Sequence, residues 1–215
     1  PNVVMATNGN PAIAGMGVNN SLGNMEGKEI RFVAAASGYW SIANTVISTG
    51  SINSMHDSYM PLSGMNMLLA MMINCFYGGV GVGMLNYFIF IILAVFISGL
   101  MVGRTPEFLG KKVEAREMKI AMIIALLHPF IILVGTALAA AFPQYTSATL
   151  ANPGFHGFSE MLYEYTSSAA NNGSGFEGLG DNTPWWNIST GFVLLLGRYL
   201  PIIGPVAIAG ILGSK

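Results

Sequence analysis

The sequence predicts an all-α polytopic membrane protein, and three observations carry that prediction. Nine Lys or Arg and ten Asp or Glu are the only charged residues in 215, or 9% of the chain, where a soluble protein carries about 25%. Hydrophobic residues supply 53%, and the mean hydropathy is +0.57. The charges are also clustered, leaving uncharged runs of bilayer length between them. So few charges cannot cover the surface of a soluble globule, which excludes most water-soluble enzymes. The net charge of −1 excludes the basic footprint of a nucleic-acid binder. Cys75 stands alone, permits no internal disulfide and reads as a packing residue. The chain opens on Pro1 without a signal-peptide pattern and stops at Lys215 after an apolar run, so both ends are expected to be cut.

Two short apolar segments and three long ones follow in order. Phe32–Ser48 is apolar but interrupted by Ser37, Ser41, Asn44 and Thr45. The 46 uncharged residues between Asp57 and Arg104, most apolar from Met65 to Val102, exceed the roughly 20 that one helix needs. They therefore hold a span and a broken or re-entrant piece, with the break at Gly78, Gly79, Gly81 and Gly83. A second span of 23 residues runs from Ile120 to Phe142. Gly157–Ala170 reads as a helix, with Phe158, Met161, Leu162 and Tyr165 at i, i+3, i+4 and i+7. Trp185–Leu212 is a third span, broken at Pro201, Gly204 and Pro205, with Trp185 and Trp186 as interface anchors. The two short segments fit re-entrant helices, or else amphipathic helices lying at the interface.

Orientation follows from the loops. Arg104, Lys111, Lys112, Arg116 and Lys119 crowd residues 103–119, whereas 143–184 contains no Lys or Arg. The positive-inside rule places 103–119 in the cytoplasm and 143–184 outside.

The chain also repeats itself. Ser48-Thr49-Gly50-Ser51 matches Asn171-Asn172-Gly173-Ser174 at an offset of 123 residues. Each follows a short helical segment and precedes an irregular stretch and a long span. This is the layout of a pore loop, in which a half-way helix is followed by extended chain whose carbonyls replace the hydration shell of a cation. Non-helical backbone is tolerated at membrane depth only where it is buried or lines a wet cavity. Gly accepts positive φ there, and the neutral oxygens of Ser, Thr and Asn suit a monovalent cation better than carboxylate-bound Ca²⁺ or Mg²⁺.

On these residues the chain resembles the A-subunit family of the Kdp potassium-transporting ATPase. Gly50-Ser51-Ile52-Asn53-Ser54-Met55-His56-Asp57-Ser58 resembles that family's third pore loop. Gly103 to Lys112 and Glu114 to Lys119 resemble its cytoplasmic loop. Asn152-Pro153-Gly154, His156 to Glu160 and Ala169 to Ser174 resemble the fourth pore loop and its approach. The resemblance runs from about Asn24 to Lys215. It implies helix–pore loop–helix repeats of the potassium-channel and transporter type, four in the whole subunit, enclosing one K⁺ filter. Here residues 1–31 would be outer loop, 32–102 the third repeat, 103–119 the cytoplasmic loop and 120–215 the fourth repeat. It further implies a bacterial inner-membrane complex. A P-type ATPase subunit there hydrolyses ATP with Mg²⁺, small accessory subunits complete the assembly, and this chain holds no cofactor beyond the transported K⁺. The filter residues would be Ser48, Thr49, Gly50, Ser51, Asn171, Asn172, Gly173 and Ser174. The chain departs from the family at Asn74, where an acidic residue often stands.

Several residues have two readings. Arg198, mid-span, either acts electrostatically on an ion beneath the filter or makes a structural pair with a carboxylate or helix-end carbonyls. Asp57, Glu177 and Asp181, with Glu160 and Glu164, either draw cations to an outer mouth or form a solvated loop. His56 and Asp57 also raise a membrane-embedded metal-dependent hydrolase, although such a site needs about three ligands. A pore-loop channel or symporter without an ATPase is the other alternative. His128, ahead of Pro129, is expected to be buried and hydrogen-bonded, beside a kink.

Overall fold

The computed structural model describes residues 1–75, 77–79 and 81–215, and the side chains of all of these except Ile13 and Ala14. Val80, within the expected Gly78–Gly83 break, lies outside the described residues. The helices are α1 (Asn2–Thr7), α2 (Val33–Ile47), α3 (Pro61–Ile73) and α4 (Val82–Val102). A two-stranded hairpin, β1 (Glu107–Phe108) and β2 (Lys111–Lys112), precedes α5 (Ala115–Ala141), α6 (Pro143–Thr146), α7 (Phe155–Ala169) and α8 (Pro184–Gly213). Three helices are long and apolar enough to cross a membrane, α4 with 21 residues, α5 with 27 and α8 with 30. At 1.5 Å per residue they measure about 31, 40 and 45 Å, against a hydrocarbon core of about 30 Å.

Local chemistry places the helix ends. α5 begins at Ala115, five residues before the predicted Ile120. Glu114 and Glu117 form a reciprocal capping box there, so the charged first turn is helical as well. The predicted break opens before the glycines, since α3 ends at Ile73. It takes in Gly78, Gly79 and Gly81, the left-handed N-cap of α4, and only Gly83 of the four is helical. Asn74 takes a left-handed conformation (φ 46°) and caps α3, a role Asn fills at helix C-termini. α8 is not broken as expected: it runs through Pro201 and Pro205. The two prolines sit one turn apart and both are buried, so neighbouring helices cover the face that loses its hydrogen bonds.

The core has three parts. Ile131, Ala139, Met161, Tyr165, Trp186 and Val193 join α5, α7 and α8. Ile89, Ile92, Ala121, Ile124 and Ile208 join α4, α5 and α8. Met67, Met71, Tyr163 and Phe176 pack α3 against α7. Trp186 is 1% exposed and its indole N–H donates to Thr149 Oγ1 at 3.0 Å, so it is a core residue and not an interface anchor. Trp185 stacks on Tyr145 with ring centroids 5.4 Å apart. His128 donates from Nε2 to the Met71 carbonyl at 3.1 Å, tying α5 to α3.

Candidate functional site

The two sequence repeats are also structural repeats. α2 and α7 have 15 residues each. After α2, Ser48 turns left-handed at φ 58°; after α7, Asn171 does so at φ 55°. The next amide then reaches back across the helix end in both copies, from Thr49 N–H to the Asn44 carbonyl at 3.2 Å and from Asn172 N–H to the Ser167 carbonyl at 2.9 Å. This is the six-to-one bond of a Schellman cap. The left-handed residue and the returning bond keep the 123-residue offset, and the helix bounds differ by 122, so each helix delivers its extended loop through the same corner.

The corners bring the two loops together. A Cβ added to Gly50 would lie 2.9 Å from the Asn172 carbonyl oxygen and 3.1 Å from the Gly173 carbonyl carbon. Gly173 itself has φ 92° and faces Gly50 Cα. The glycines thus meet their requirement differently: Gly173 by its positive φ, Gly50 by the approach of the other loop's backbone. The Asn172 amide donates to the Asn44 carbonyl at 3.0 Å, joining the second loop to the last turn of α2. Two helix C-termini, each equivalent to roughly half a negative charge, therefore open into one place lined by neutral oxygens. The indole N–H of Trp40 holds the Ser51 carbonyl at 2.6 Å. Helix-end potential and neutral oxygens are the chemistry that suits a monovalent cation, and Glu164 Oε2 lies 3.5 Å from a Cβ added at Gly175, just past the second loop.

Arg198 lies beside this corner. α8 passes so close to α7 at Gly197 that a Cβ there would overlap the Ala169 carbonyl. The next residue, Arg198, donates from Nε to Asn171 Oδ1 at 2.9 Å. Ser48, Gly79, Asn171 and Arg198 line one narrow cleft. Among the described residues no carboxylate pairs with the guanidinium. Ser48 also donates to Asn74 Oδ1 at 3.0 Å, and Asn86 donates to the Asn74 carbonyl at 2.8 Å, fixing the break between α3 and α4. Reading the sequence gave Asn74 no such role.

The acidic residues separate. Asp57 and Glu177 meet, with the Asp57 N–H donating to Glu177 Oε2 at 3.2 Å. Partial burial raises the Glu177 carboxyl above the usual carboxylate range, opposed by the N–H groups of Glu177 itself, Asp57 and His56 and reinforced by the Asp57 charge. Asp181 is exposed in the turn ahead of α8. Glu160, expected at a cation-drawing outer mouth or in a solvated loop, is fully buried. It accepts from the Ala151 N–H at 3.2 Å and from Asn152 Nδ2 at 2.9 Å. Asp57 pairs with His156 Nε2 at 2.6 Å. Asp57, His156 and Glu160 offer ligand atoms within 4.8 Å of one another and are the set that could hold a metal among the described residues. His56 is not in it: its Nδ1 faces Tyr163 Oη at 2.8 Å. Glu160→Ala is expected to lower stability by about 2–3 kcal/mol, the cost of stranding buried donors of a charged acceptor, read as a lower thermal midpoint. Glu160→Gln, which keeps an acceptor, should recover part of the loss.

Long apolar helices and two re-entrant-length helices with matching extended loops define an all-α polytopic membrane protein of helix–loop–helix repeats. The chain belongs to the Potassium-transporting ATPase A subunit family, whose sequence pattern matches residues 1–215. It is 69% identical over its full length to a potassium-transporting ATPase potassium-binding subunit of Flavobacterium johnsoniae, covering 39% of that protein. The identity to the protein of the same name from Phocaeicola vulgatus is 67%, over all of this chain and 39% of the relative. For that of Alicyclobacillus acidocaldarius it is 57%, over 96% and 36%. The chain thus spans about two fifths of the length of the curated relatives it matches.

Proposed function

We propose that this chain supplies the third and fourth repeats of a potassium-binding and translocating subunit in an ATP-driven K⁺ uptake complex. The observation that carries the proposal is the meeting of two equivalent loops, Ser48–Ser51 and Asn171–Ser174, at Gly50 and Gly173. Each leaves the C-terminus of a half-length helix through a left-handed corner, and their carbonyls select the ion. Residues 1–31 are outer loop, 32–102 and 120–215 the two repeats, and 103–119 the cytoplasmic connection in a bacterial inner membrane. Asp57, Glu177 and Asp181 stand at the outer mouth and Arg198 acts on the ion pathway. The chain carries no cofactor of its own; ATP and Mg²⁺ belong to a P-type ATPase partner, which small accessory subunits accompany.

Partner dependence tests this reading. K⁺ uptake by vesicles carrying the complete subunit should vanish when the ATP-hydrolysing partner is omitted and return when it is restored. Uptake that persists without the partner would establish a channel or symporter instead.

A further inference from the structure

We propose that His56 and Tyr163 are positioning residues that hold the second loop, Asn171–Ser174, at a fixed distance from α2 and thereby set the discrimination between cations. The inference rests on the reading of that loop as ion-contacting, and goes beyond it by naming what keeps the loop from relaxing.

A single buried hydrogen-bond chain runs behind the loop. His56 Nδ1 meets Tyr163 Oη at 2.8 Å, Tyr163 Oη meets Ser174 Oγ at 2.9 Å, and Ser174 Oγ reaches Asn172 Oδ1. The Asn172 amide then donates to the Asn44 carbonyl at 3.0 Å. His56 is 1% exposed, Tyr163 0%, Ser174 3% and Asn172 6%, so water does not compete for these bonds.

The direction of every bond can be worked out from its neighbours. Asn172 accepts the Ser174 backbone N–H on Oδ1 at 2.9 Å and gives its Nδ2 to a backbone carbonyl, which fixes the amide's orientation. Oδ1 is acceptor-only, so the Ser174 hydroxyl spends its proton there. Ser174 Oγ must then accept from Tyr163, whose one proton is thereby used. Tyr163 Oη must in turn accept from His56 Nδ1–H. His56 is therefore the neutral Nδ1–H tautomer, in keeping with burial and the Lys28 charge, which hold its pKa down to about 4. Its Nε2 is buried without a hydrogen-bond partner among the described residues, so the imidazole's hydrogen bond there is the one to Tyr163.

The chain has the geometry of a staple. It starts in the linker after the first loop, crosses α7 and the second loop, and ends on the last turn of α2. Its middle cannot swing. The Tyr163 ring stacks on Phe176 with centroids 4.2 Å apart, and the His56 ring stands edge-on to Tyr59 at 5.9 Å. Where selectivity comes from cavity size, a carbonyl cage separates cations of nearly equal radius by resisting adjustment to the wrong one. Cutting the staple should therefore cost discrimination while leaving turnover with K⁺ largely in place.

The test uses the complete, reconstituted complex and measures half-maximal concentrations for K⁺ and for Rb⁺ in ATP-dependent uptake, with Na⁺ as competitor. Tyr163→Phe keeps the ring and removes only the hydroxyl. It should shift the K⁺ preference toward one by about tenfold, the scale of one buried hydrogen bond, with maximal K⁺ turnover within about twofold of the parent. His56→Leu should reproduce the shift. His56→Asn, whose Nδ2 donates from the position of the imidazole Nδ1, should restore the preference. Gly173→Asp serves as the control on the underlying reading: if it leaves uptake intact, the loop is not the filter. If Gly173→Asp abolishes uptake while Tyr163→Phe and His56→Leu leave the ion preference unchanged, the staple is overturned and the filter stands. A matched fall in thermal midpoint and turnover without a change in preference overturns it equally, as an ordinary structural role.

Discussion

Gly173→Asp, introduced into the complete subunit in its complex, is expected to abolish K⁺ uptake, and Gly50→Asp is expected to do the same for a different reason. Gly173 has φ 92°, outside the range that residues with a β-carbon readily adopt. The space around it is open: the nearest atom to an added Cβ is Gly50 Cα at 3.9 Å. The damage at Gly173 is thus backbone strain that turns the loop's carbonyls away, together with a carboxylate in a cage of neutral oxygens. Gly50 carries no positive φ; there an added Cβ would press on the Asn172 and Gly173 carbonyl groups at 2.9–3.2 Å, and backbone cannot give way as a flexible side chain does. Alanine separates the two. Gly50→Ala should already widen the gap between the loops and raise the half-saturating K⁺ concentration at least tenfold, about 1.4 kcal/mol. Gly173→Ala should show its effect through strain, with partial relief in Gly173→Asn because Asn tolerates positive φ better than Ala. Uptake assays on these five substitutions at the two glycines check the pattern. Indifference to all of them, with loss on removing Asp57 or His156, would support a metal site at Asp57, His156 and Glu160 instead.

Much of this was legible in the sequence because membrane burial imposes simple patterns. Charge-free runs located the three long helices, and the two short segments came out as helices within a residue or two of Phe32–Ser48 and Gly157–Ala170. The match of Ser48–Ser51 to Asn171–Ser174 was readable since both loops open on the same left-handed corner, at Ser48 and Asn171. What escaped depends on contacts between residues far apart in sequence. Glu160 looked like an outer-loop acid, and nothing local reveals that Ala151 and Asn152 fold back to bury it. Asp57 and His156 pair across 99 positions, a link invisible without the fold. Trp185 and Trp186 offered a usable signal that was missed. Successive helical residues point about 100° apart, so the two indoles cannot share one surface, and Trp186 turns into the core. Asn74 offered another, since Asn often takes the left-handed cap that ends a helix.

Arg198→Ala is expected to tighten apparent K⁺ binding and slow turnover, because the guanidinium supplies positive charge next to the corner from which the second loop departs. A charge near the middle of a spanning helix costs about 2.5–3.5 kcal/mol on insertion scales. No carboxylate among the described residues offsets it, so the field of Arg198 reaches its surroundings uncancelled by a local partner. Two like unit charges about 4 Å apart repel by roughly 4 kcal/mol at an effective dielectric of about 20, and by half that at twice the distance. A several-fold lower half-saturating K⁺ concentration and a tenfold or larger fall in turnover follow if the residue drives the ion onward. The hydrogen bond from Nε to Asn171 Oδ1 at 2.9 Å supplies the competing account, in which Arg198 merely fixes the corner. Two substitutions divide them. Arg198→Lys keeps the charge and loses the planar donor geometry, whereas Arg198→Gln keeps a neutral donor for Asn171 and loses the charge. Under the electrostatic account Lys retains most of the turnover and Gln behaves like Ala; under the structural account the order reverses. Uptake still coupled to ATP hydrolysis in Arg198→Ala, with an unaltered K⁺ dependence, would remove Arg198 from the ion pathway and leave its bond to Asn171 as a structural brace for the corner.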